Sequence, residues 1–137
     1  MNCTFCEIVA GRAEASVVYD NDEVMAFMDI RPWTPGHLLV VPKRHATGLS
    51  DLDPADGAAV FTAGQRIATT LRHGSLRAHG VNLFLADGIA AGQEVFHVHL
   101  HVVPRTNGDG FGLRGMPTSP SRMALEQTAG VIRSSLT

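Results

Sequence analysis

Hydrophobic and polar residues alternate strictly along residues 97–103, which read His-Val-His-Leu-His-Val-Val. Successive side chains of a β-strand point to opposite faces of the sheet. The pattern therefore predicts a strand with a row of three imidazoles, about 6.6 Å apart, on one face. The opposite row, which consists of Val98, Leu100 and Val102, is expected to face the hydrophobic core.

Four other apolar segments predict strands, because turn-forming residues separate them from one another. A polar run at 20–23 divides the first two. A loop rich in proline and glycine at 31–36 precedes the third, which Pro42 ends. The four strands are predicted at residues 17–19, 24–28, 37–41 and 81–86.

A long helix is predicted between Asp53, its N-cap, and Gly74, its end, with Pro54 at the first helical position. Apolar residues at helical spacing give this helix a buried face. Gly64 lies on that face, where it costs about 1 kcal/mol relative to alanine. Close packing against another element could offset this cost.

Two shorter helices are predicted near the ends of the chain. Thr4 and Glu7 have the spacing of a capping box, which favours a helix over 5–10 that ends at Gly11. A C-terminal helix is predicted over 120–136, after a segment rich in glycine and proline. Strands, one long helix, two more strands and a final helix together indicate an α+β fold with an antiparallel sheet.

Composition narrows the function classes. The 137 residues are 45% hydrophobic, which suits one domain with a hydrophobic core. The net charge of −2 gives no support for electrostatic binding to nucleic acid. No apolar run is long enough to span a membrane, and the N-terminus lacks the features of a secretory signal. We therefore expect a cytoplasmic protein whose two cysteines are metal ligands or redox groups.

The three histidines of the alternating segment could hold a metal or perform catalysis, because imidazole can act as a ligand, a nucleophile or a proton donor near neutral pH. The alternation does not decide between these uses. Cys3 and Cys6 form a Cys-x-x-Cys pair, for which a redox motif is the alternative to a metal site. A thioredoxin-like motif would need a strand before it, and only two residues precede Cys3.

The sequence resembles the histidine triad (HIT) family of nucleotide hydrolases and transferases. Its signature, three histidines alternating with apolar residues, matches 97–103 at every position, and matching blocks extend over about residues 3 to 105. The other matching blocks are 29–32, 35–45, 87–88 and 91–95. The last thirty or so residues resemble nothing informative.

The resemblance implies a HIT-like fold: a five-stranded antiparallel sheet with one long helix, a short N-terminal helix and a C-terminal helix. It also implies a single domain over 1–137, with a core at 3–105 and a variable loop and C-terminal helix at 106–137. Members are commonly homodimers, and Gly64 is compatible with close packing at such an interface.

The resemblance also implies a role for each catalytic residue. His99, the middle histidine, matches the nucleophile that forms a covalent nucleotidyl-histidine at the α-phosphorus. His101 and His37 match positions near the phosphate, where imidazoles stabilise charge on phosphoryl oxygens. The uridylyltransferase branch replaces the third histidine with glutamine, so the presence of His101 favours hydrolysis over transfer to a sugar phosphate.

Nucleotide-binding positions follow from the same resemblance. A carboxylate is a pure hydrogen-bond acceptor and therefore suits a ribose diol, the role implied for Asp29. The segment before the histidines is expected to hold phosphate oxygens with its side chains and backbone N–H groups. Phe5 and Ile30 match apolar positions around the base, although both could be plain core residues. The phosphate-binding residues implied are Gly92, Gln93, Glu94, His99 and His101.

Some family members bind structural zinc through such a cysteine pair together with two histidines, which here are His45 and His97. With Cys3 and Cys6 they make a closed Cys₂His₂ set. The alternative is a metal-sensing module that uses all three alternating histidines as ligands. The zinc hypothesis ties the N-terminal helix to the sheet and makes His97 a brace for the segment that carries His99.

The sequence departs from the family pattern at two positions. Ala86 stands where relatives often carry asparagine or glutamine, and Glu94 stands where they usually carry serine or threonine beside the phosphate. A carboxylate near phosphate is unfavourable unless it points away or meets a cation. The expected substrates are purine nucleoside phosphoramidates, adenylates or dinucleoside polyphosphates. The alternative is a nucleotide-binding regulatory or scaffold protein with weak catalysis.

Overall fold

The computed structural model describes residues 2–136, and five strands in it form one sheet in the order β1-β2-β3-β5-β4. Every neighbouring pair is antiparallel. Strand β3 lies at the centre, between β2 and β5. The strands are β1 (Val17–Asp20), β2 (Val24–Met28), β3 (Leu38–Pro42), β4 (Gly80–Leu85) and β5 (Leu100–Arg105).

Three helices accompany the sheet: α1 (Thr4–Val9), α2 (Pro54–His73) and α3 (Arg122–Ser135). The predicted limits of the long helix are confirmed, because the Asp53 side chain accepts a hydrogen bond from the Ala55 backbone N–H and Gly74 caps the other end. The five-stranded antiparallel sheet with a long helix, a short N-terminal helix and a C-terminal helix confirms the predicted α+β, HIT-like fold.

The cap of α1 differs from the prediction by one residue. Cys3, not Thr4, is the N-cap, and its sulfur accepts a hydrogen bond from the Cys6 backbone N–H at 3.4 Å. Thr4 is already helical. A thiol is a weak acceptor, so sequence rules favour the neighbouring hydroxyl. The cap therefore belongs to the residue pair that also makes the Cys-x-x-Cys motif.

Strand β5 begins at Leu100, not at His97, because its pairing with both neighbouring strands ends there: Leu100 pairs with Val40 on one side and Leu85 on the other. The preceding residues are extended or bent without a strand partner, although Val98 N–H donates to the Ala46 carbonyl. Side chains still alternate between faces. The predicted apolar row, Val98, Leu100 and Val102, is buried as expected.

The core has two parts, one on each face of the sheet. Helix α2 packs on one face, where its apolar stripe meets buried residues of β2, β3 and β5. A Cβ atom built on Gly64 would lie 2.7 Å from Leu100 Cδ2, so Gly64 serves close contact between α2 and the chain's own β5. Helix α1 covers the other face, where Phe5 packs with Phe27, Leu39 and others.

Helix α3 buries none of its residues, and the segment that leads to it from residue 112 is exposed throughout. Leu125, Ile132 and Leu136, predicted to share one side of this helix, are 44%, 55% and 73% exposed. Within residues 2–136, the structure contains no helix with the length and apolar character of a membrane span.

Candidate functional site: a metal cluster beside a relay of histidines

Four side chains converge where α1 meets the start of the histidine segment. Cys3 Sγ lies 3.4 Å from His97 Nδ1, and Cys6 Sγ lies 3.4 Å from His45 Nδ1 and 3.5 Å from His97 Nδ1. The two Nδ1 atoms are 3.1 Å apart. Ligand atoms around a tetrahedral zinc ion are about 3.5 Å from one another, so the cluster is compatible with structural zinc.

The chemistry of these donors also suits a cation. Burial and the neighbouring Cys3 side chain raise the pKa of the Cys6 thiol, so two thiolates this close require a positive charge between them. Burial lowers the pKa of His97, which keeps the imidazole neutral as a ligand must be. His97 Nε2–H donates to the Pro42 carbonyl at 2.8 Å, which leaves Nδ1 free to bind a metal.

His99 is held by the backbone of the neighbouring metal-cluster residue. Its Nδ1–H donates to the His97 carbonyl oxygen at 2.8 Å. The neutral imidazole therefore has its lone pair on Nε2, the tautomer required of a nucleophile. The ring is 7% exposed and lies edge-on to Phe5, with ring centroids 5.2 Å apart. His99 is thus fixed in one tautomer and one orientation.

A chain of hydrogen bonds fixes the next two histidines. The Trp33 backbone N–H donates to His37 Nδ1 at 2.9 Å, so neutral His37 carries its proton on Nε2. That Nε2–H donates to His101 Nδ1, 2.9 Å away. His101 is consequently left with a proton on Nε2. The network therefore gives the two neighbouring rings opposite roles. Nε2 of His99 carries a lone pair, whereas Nε2 of His101 carries a hydrogen that it can donate.

Burial keeps His101 and His37 neutral. Desolvation is the main cause that lowers the pKa of His101 to about 4, and the neighbouring His99 and His37 lower it further. Desolvation also lowers the pKa of His37, against the opposing effect of Asp29. His101 therefore offers a neutral N–H, and not a full positive charge, to a group placed beside it at neutral pH.

Asp29 and Ile30 lie at the end of β2, on the side of His37. Asp29 Oδ2 is 3.5 Å from His37 Nε2, and Asp29 Oδ1 accepts a hydrogen bond from the Arg31 backbone N–H. The ligand atoms of Asp29, His37 and His101 lie within 4.8 Å of one another. The three alternating histidines are thus divided between two clusters, with His99 in neither. Ile30 is 93% exposed and is not a core residue.

Gln93 stabilises the loop before the histidines. Its Oε1 accepts from the Gly88 N–H at 2.8 Å, and its Nε2 donates to the carbonyls of Thr47 and Val95 at 2.8 and 3.1 Å. The side chain is 5% exposed. Both amide hydrogens are already used by backbone partners. The backbone N–H groups of Gly92 and Gln93 are used as well, because they donate to the carbonyls of Ile89 and Gly88 at 2.9 and 3.1 Å. Gly92 makes this turn in a left-handed conformation with φ of 95°.

Glu94 points toward a cation. Its Oε2 lies 3.9 Å from Arg31 Nη2, and both side chains are more than four-fifths exposed. The pair joins the loop before the histidines to the loop after β2. An exposed pair of this kind contributes little to stability, but it offsets the negative charge that the sequence places beside the expected phosphate position.

An aromatic group absent from the sequence predictions lies next to His101. The Trp33 indole stacks on the His101 ring, with centroids 4.9 Å apart and planes 13° apart. Phe111, from the loop after β5, stacks on the same indole at 5.4 Å and 17°. A lone tryptophan between Pro32 and Pro35, in a loop that leads directly to His37, was the available signal.

Comparisons with known proteins agree with this geometry. A family model described as HIT domain matches residues 10–108. An uncharacterized HIT-like protein from Mycobacterium tuberculosis is 44% identical over 139 residues, which cover 99% of this chain and 94% of that protein.

Two solved structures are similar over nearly the whole chain. The crystal structure of a Zn-bound histidine triad family protein from Mycobacterium smegmatis is 44% identical, with a TM-score of 0.80, and the match covers 96% of this chain and 98% of that one. A HIT family member from Bacillus subtilis is 34% identical with a TM-score of 0.92, and the match covers 100% of this chain and 99% of that one.

Proposed function

The chain belongs to the HIT domain family, a group of nucleotide-binding hydrolases and transferases, and on that premise we propose that it cleaves nucleotides at the α-phosphorus through a covalent nucleotidyl-histidine on His99. The observation that carries this proposal is the 2.8 Å hydrogen bond from His99 Nδ1–H to the His97 carbonyl, which leaves the lone pair on Nε2. A nucleophile held in this tautomer needs no deprotonation before it attacks.

In the first step, the His99 Nε2 lone pair forms a bond to the α-phosphorus while the bond from phosphorus to the leaving atom breaks. The electron pair departs with the leaving atom, which takes up one proton from solvent. The Nε2–H of His101 donates a hydrogen bond to the negative charge that develops on that side. The product is a nucleotidyl group on an imidazolium, whose Nδ1–H stays bound to the His97 carbonyl.

In the second step, water attacks the same phosphorus and the bond to Nε2 breaks. The electron pair returns to Nε2, one proton is released to solvent, and the nucleoside monophosphate leaves. Transfer to another nucleophile in place of water would give a nucleotidyltransferase. The overall reaction consumes one water molecule and restores neutral His99.

The surrounding residues support a nucleotide orientation. The Asp29 carboxylate can accept hydrogen bonds from ribose hydroxyls, and exposed Ile30 beside it offers an apolar contact for the base. Phosphate oxygens would lie against the loop of Gly92, Gln93 and Glu94, where the backbone N–H of Glu94 would donate to them. The substrates we propose are purine nucleoside phosphoramidates, adenylates or dinucleoside polyphosphates.

We assign structural zinc to Cys3, Cys6, His45 and His97, because this set is closed and the Mycobacterium smegmatis relative is described as Zn-bound. Zinc bound there would fix α1 against the histidine segment. His97 Nδ1 would be a ligand while its carbonyl orients His99. We further propose that the protein acts in the cytoplasm as a homodimer.

Trapping of the covalent intermediate tests the proposed function. Wild-type protein is mixed with an adenosine 5′-phosphoramidate and quenched, and intact-mass spectrometry is expected to show an added adenylyl group that peptide mapping places on His99. His99→Ala is expected to lose the adduct and the turnover but to keep zinc and AMP binding. His73→Ala, at an exposed histidine, is the matched control and should behave as wild type.

A regulatory or scaffold protein with weak catalysis is the alternative, and the departures at Ala86 and Glu94 are what favour it. It predicts tight nucleotide binding with neither adduct nor turnover in the wild type. Turnover that persists in His99→Ala would contradict the covalent mechanism directly.

A further inference from the structure

We propose that Trp33 and Phe111 form the subsite for the leaving group and select one with a flat aromatic ring, so that the preferred substrates are nucleoside phosphoramidates of amines that carry such a ring. This inference rests on the proposed function, since it assigns the leaving group of that reaction. The two residues will be called the aromatic wall. The wall is half open to solvent, because the Trp33 side chain is 50% exposed.

The position of the wall follows from the two imidazoles it covers. The Trp33 indole stacks on His101 and lies 4.7 Å from His37, between ring centroids. We place the leaving group on this side, since the proposed reaction makes the Nε2–H of His101 the hydrogen-bond donor to the leaving atom. A group that departs past His101 therefore meets the indole next.

The backbone of Trp33 is part of the same network, since its N–H donates to His37 Nδ1. Trp33 is thus held by two contacts: its main chain is hydrogen-bonded to His37, and its indole stacks on His101. Phe84, which pairs with His101 across β4 and β5, supports the indole edge-on with centroids 5.8 Å apart. An aromatic ring held on three sides can bind a ligand without further ordering.

Phe111 is held by contacts that begin on the strand that carries His101. Arg105, the last residue of β5, donates to both carboxylate oxygens of Asp109, at 2.8 and 2.7 Å, and its guanidinium lies 4.8 Å from the Phe111 ring centroid. Arg105 also donates to the Phe111 carbonyl. The loop after β5 is therefore closed into a turn that places Phe111 on Trp33.

The charges near the wall indicate what kind of leaving group it suits. Arg105 is already paired with Asp109, and Arg31 lies opposite Glu94. Neither guanidinium is reserved for a second phosphate chain. The exposed surface consists of indole and phenyl rings, which attract another aromatic ring beyond the effect of the area that is buried.

The test compares two adenosine 5′-phosphoramidates, of phenethylamine and of 2-cyclohexylethylamine, which have the same heavy atoms but differ in flatness. We expect wild-type kcat/KM to favour the phenethyl compound by about tenfold. Trp33→Leu should abolish this preference, whereas Trp33→Phe should keep most of it. Trp33 also touches His101 and His37, so its substitution can lower the activity toward both substrates. The informative quantity is therefore the ratio of kcat/KM for the two substrates, measured within one variant.

Phe111→Leu tests the other half of the wall, away from the imidazoles. It should lower kcat/KM for the phenethyl compound several-fold and leave the cyclohexylethyl compound within about twofold. A wild-type ratio near one, or an equal loss for both compounds in Trp33→Leu, would overturn the proposed selectivity. The second result would assign Trp33 to the orientation of His101 alone.

A binding measurement separates failure of the wall from failure of the proposed function. Trp33 is the chain's one tryptophan, so its fluorescence reports on the wall itself. In the His99→Ala variant, the phenethyl compound should change this emission at lower concentration than the cyclohexylethyl compound. That result with no wild-type turnover would overturn the hydrolase proposal and keep the aromatic subsite. Equal responses would overturn the subsite.

Discussion

The carbonyl oxygen of His97 accepts a hydrogen bond from His99 Nδ1 at 2.8 Å, while the His97 ring contributes Nδ1 to the Cys₂His₂ cluster. One residue thus belongs to the proposed zinc site through its side chain and orients the proposed nucleophile through its backbone. The position of His99 therefore depends on a cluster whose ligands come from α1, from the segment after β3 and from the histidine segment. His97 therefore couples the cluster to the catalytic geometry, because its ring belongs to the cluster and its carbonyl oxygen accepts the hydrogen bond of His99.

Loss of zinc is expected to lower catalysis as well as stability. Cys6→Ser removes one thiolate from the cluster, and it should abolish stoichiometric zinc and lower kcat by about 10–100-fold. KM should change less, because Asp29 and Ile30 lie outside the cluster. Metal analysis and steady-state kinetics check this prediction. Chelated wild type should recover upon addition of zinc, whereas full turnover of zinc-free protein would contradict it.

Gly64→Ala is expected to destabilise the fold although alanine is the better helix former. The new Cβ would lie 2.7 Å from Leu100 Cδ2, and Leu100 is only 6% exposed, so the core must shift. Overpacking costs about 1–3 kcal/mol, which exceeds the gain of about 1 kcal/mol in helix propensity. Urea unfolding measures the difference.

Gly130→Ala in α3 is the matched control for that substitution, because its Cβ would meet nothing closer than 3.9 Å. It should not destabilise the protein. A Gly64→Ala variant as stable as wild type would show that α2 can move away from β5 without cost.

Gln93→Leu is expected to destabilise the loop before the histidines. The substitution leaves the Gly88 N–H and the Thr47 and Val95 carbonyls without their side-chain partner. Unsatisfied buried polar groups cost about 1–3 kcal/mol, which a shift of the urea midpoint would show. Gln93→Glu, which keeps the acceptor, should cost less. A large loss of AMP affinity with unchanged stability would instead indicate direct phosphate binding.

The stability of the protein should fall between pH 7 and pH 5, partly because of His101. Its pKa is about 4 in the folded protein and about 6.5 in the unfolded chain. The unfolded chain therefore binds more protons between these values, and folding is disfavoured as the pH falls through this range. The groups that face this imidazole are His99, His37 and Asp29, and only Asp29 opposes the shift.

His101→Gln should remove this contribution, which is at most about 2 kcal/mol at pH 5. Urea unfolding at both pH values, for the variant and the wild type, measures it. Exposed His73→Gln should retain the full loss of the wild type. Equal losses in wild type and His101→Gln would mean that His101 is protonated as readily in the folded protein as in the unfolded chain.

Local sequence patterns predicted what depends on neighbours in the chain. The caps of α2 at Asp53 and Gly74 are confirmed because they depend on residues within one turn of the helix. The burial of Leu100 and Val102 follows from alternation alone. The start of β5 at Leu100 was not predictable in this way, because it depends on where the pairing with β3 and β4 ends.

The parts of the site that were missed depend on contacts between distant residues. Gln93 looked like a loop residue free to bind phosphate, but its amide bonds to Thr47 across the fold. Trp33 and Phe111 meet because the loop after β5 folds back over the loop after β2. The relay through His37 and His101 requires the pairing of β3 with β5, which brings Leu39 opposite His101.

The exposed C-terminal segment has a consequence for how this protein can vary. Residues 112–136 bury no side chain, whereas the groups proposed for chemistry lie between Cys3 and Phe111. A substitution after residue 112 therefore removes no buried contact with the core or the histidines of its own chain. The protein is in this sense modular: a change within its tail is expected to leave the arrangement that holds His99 intact.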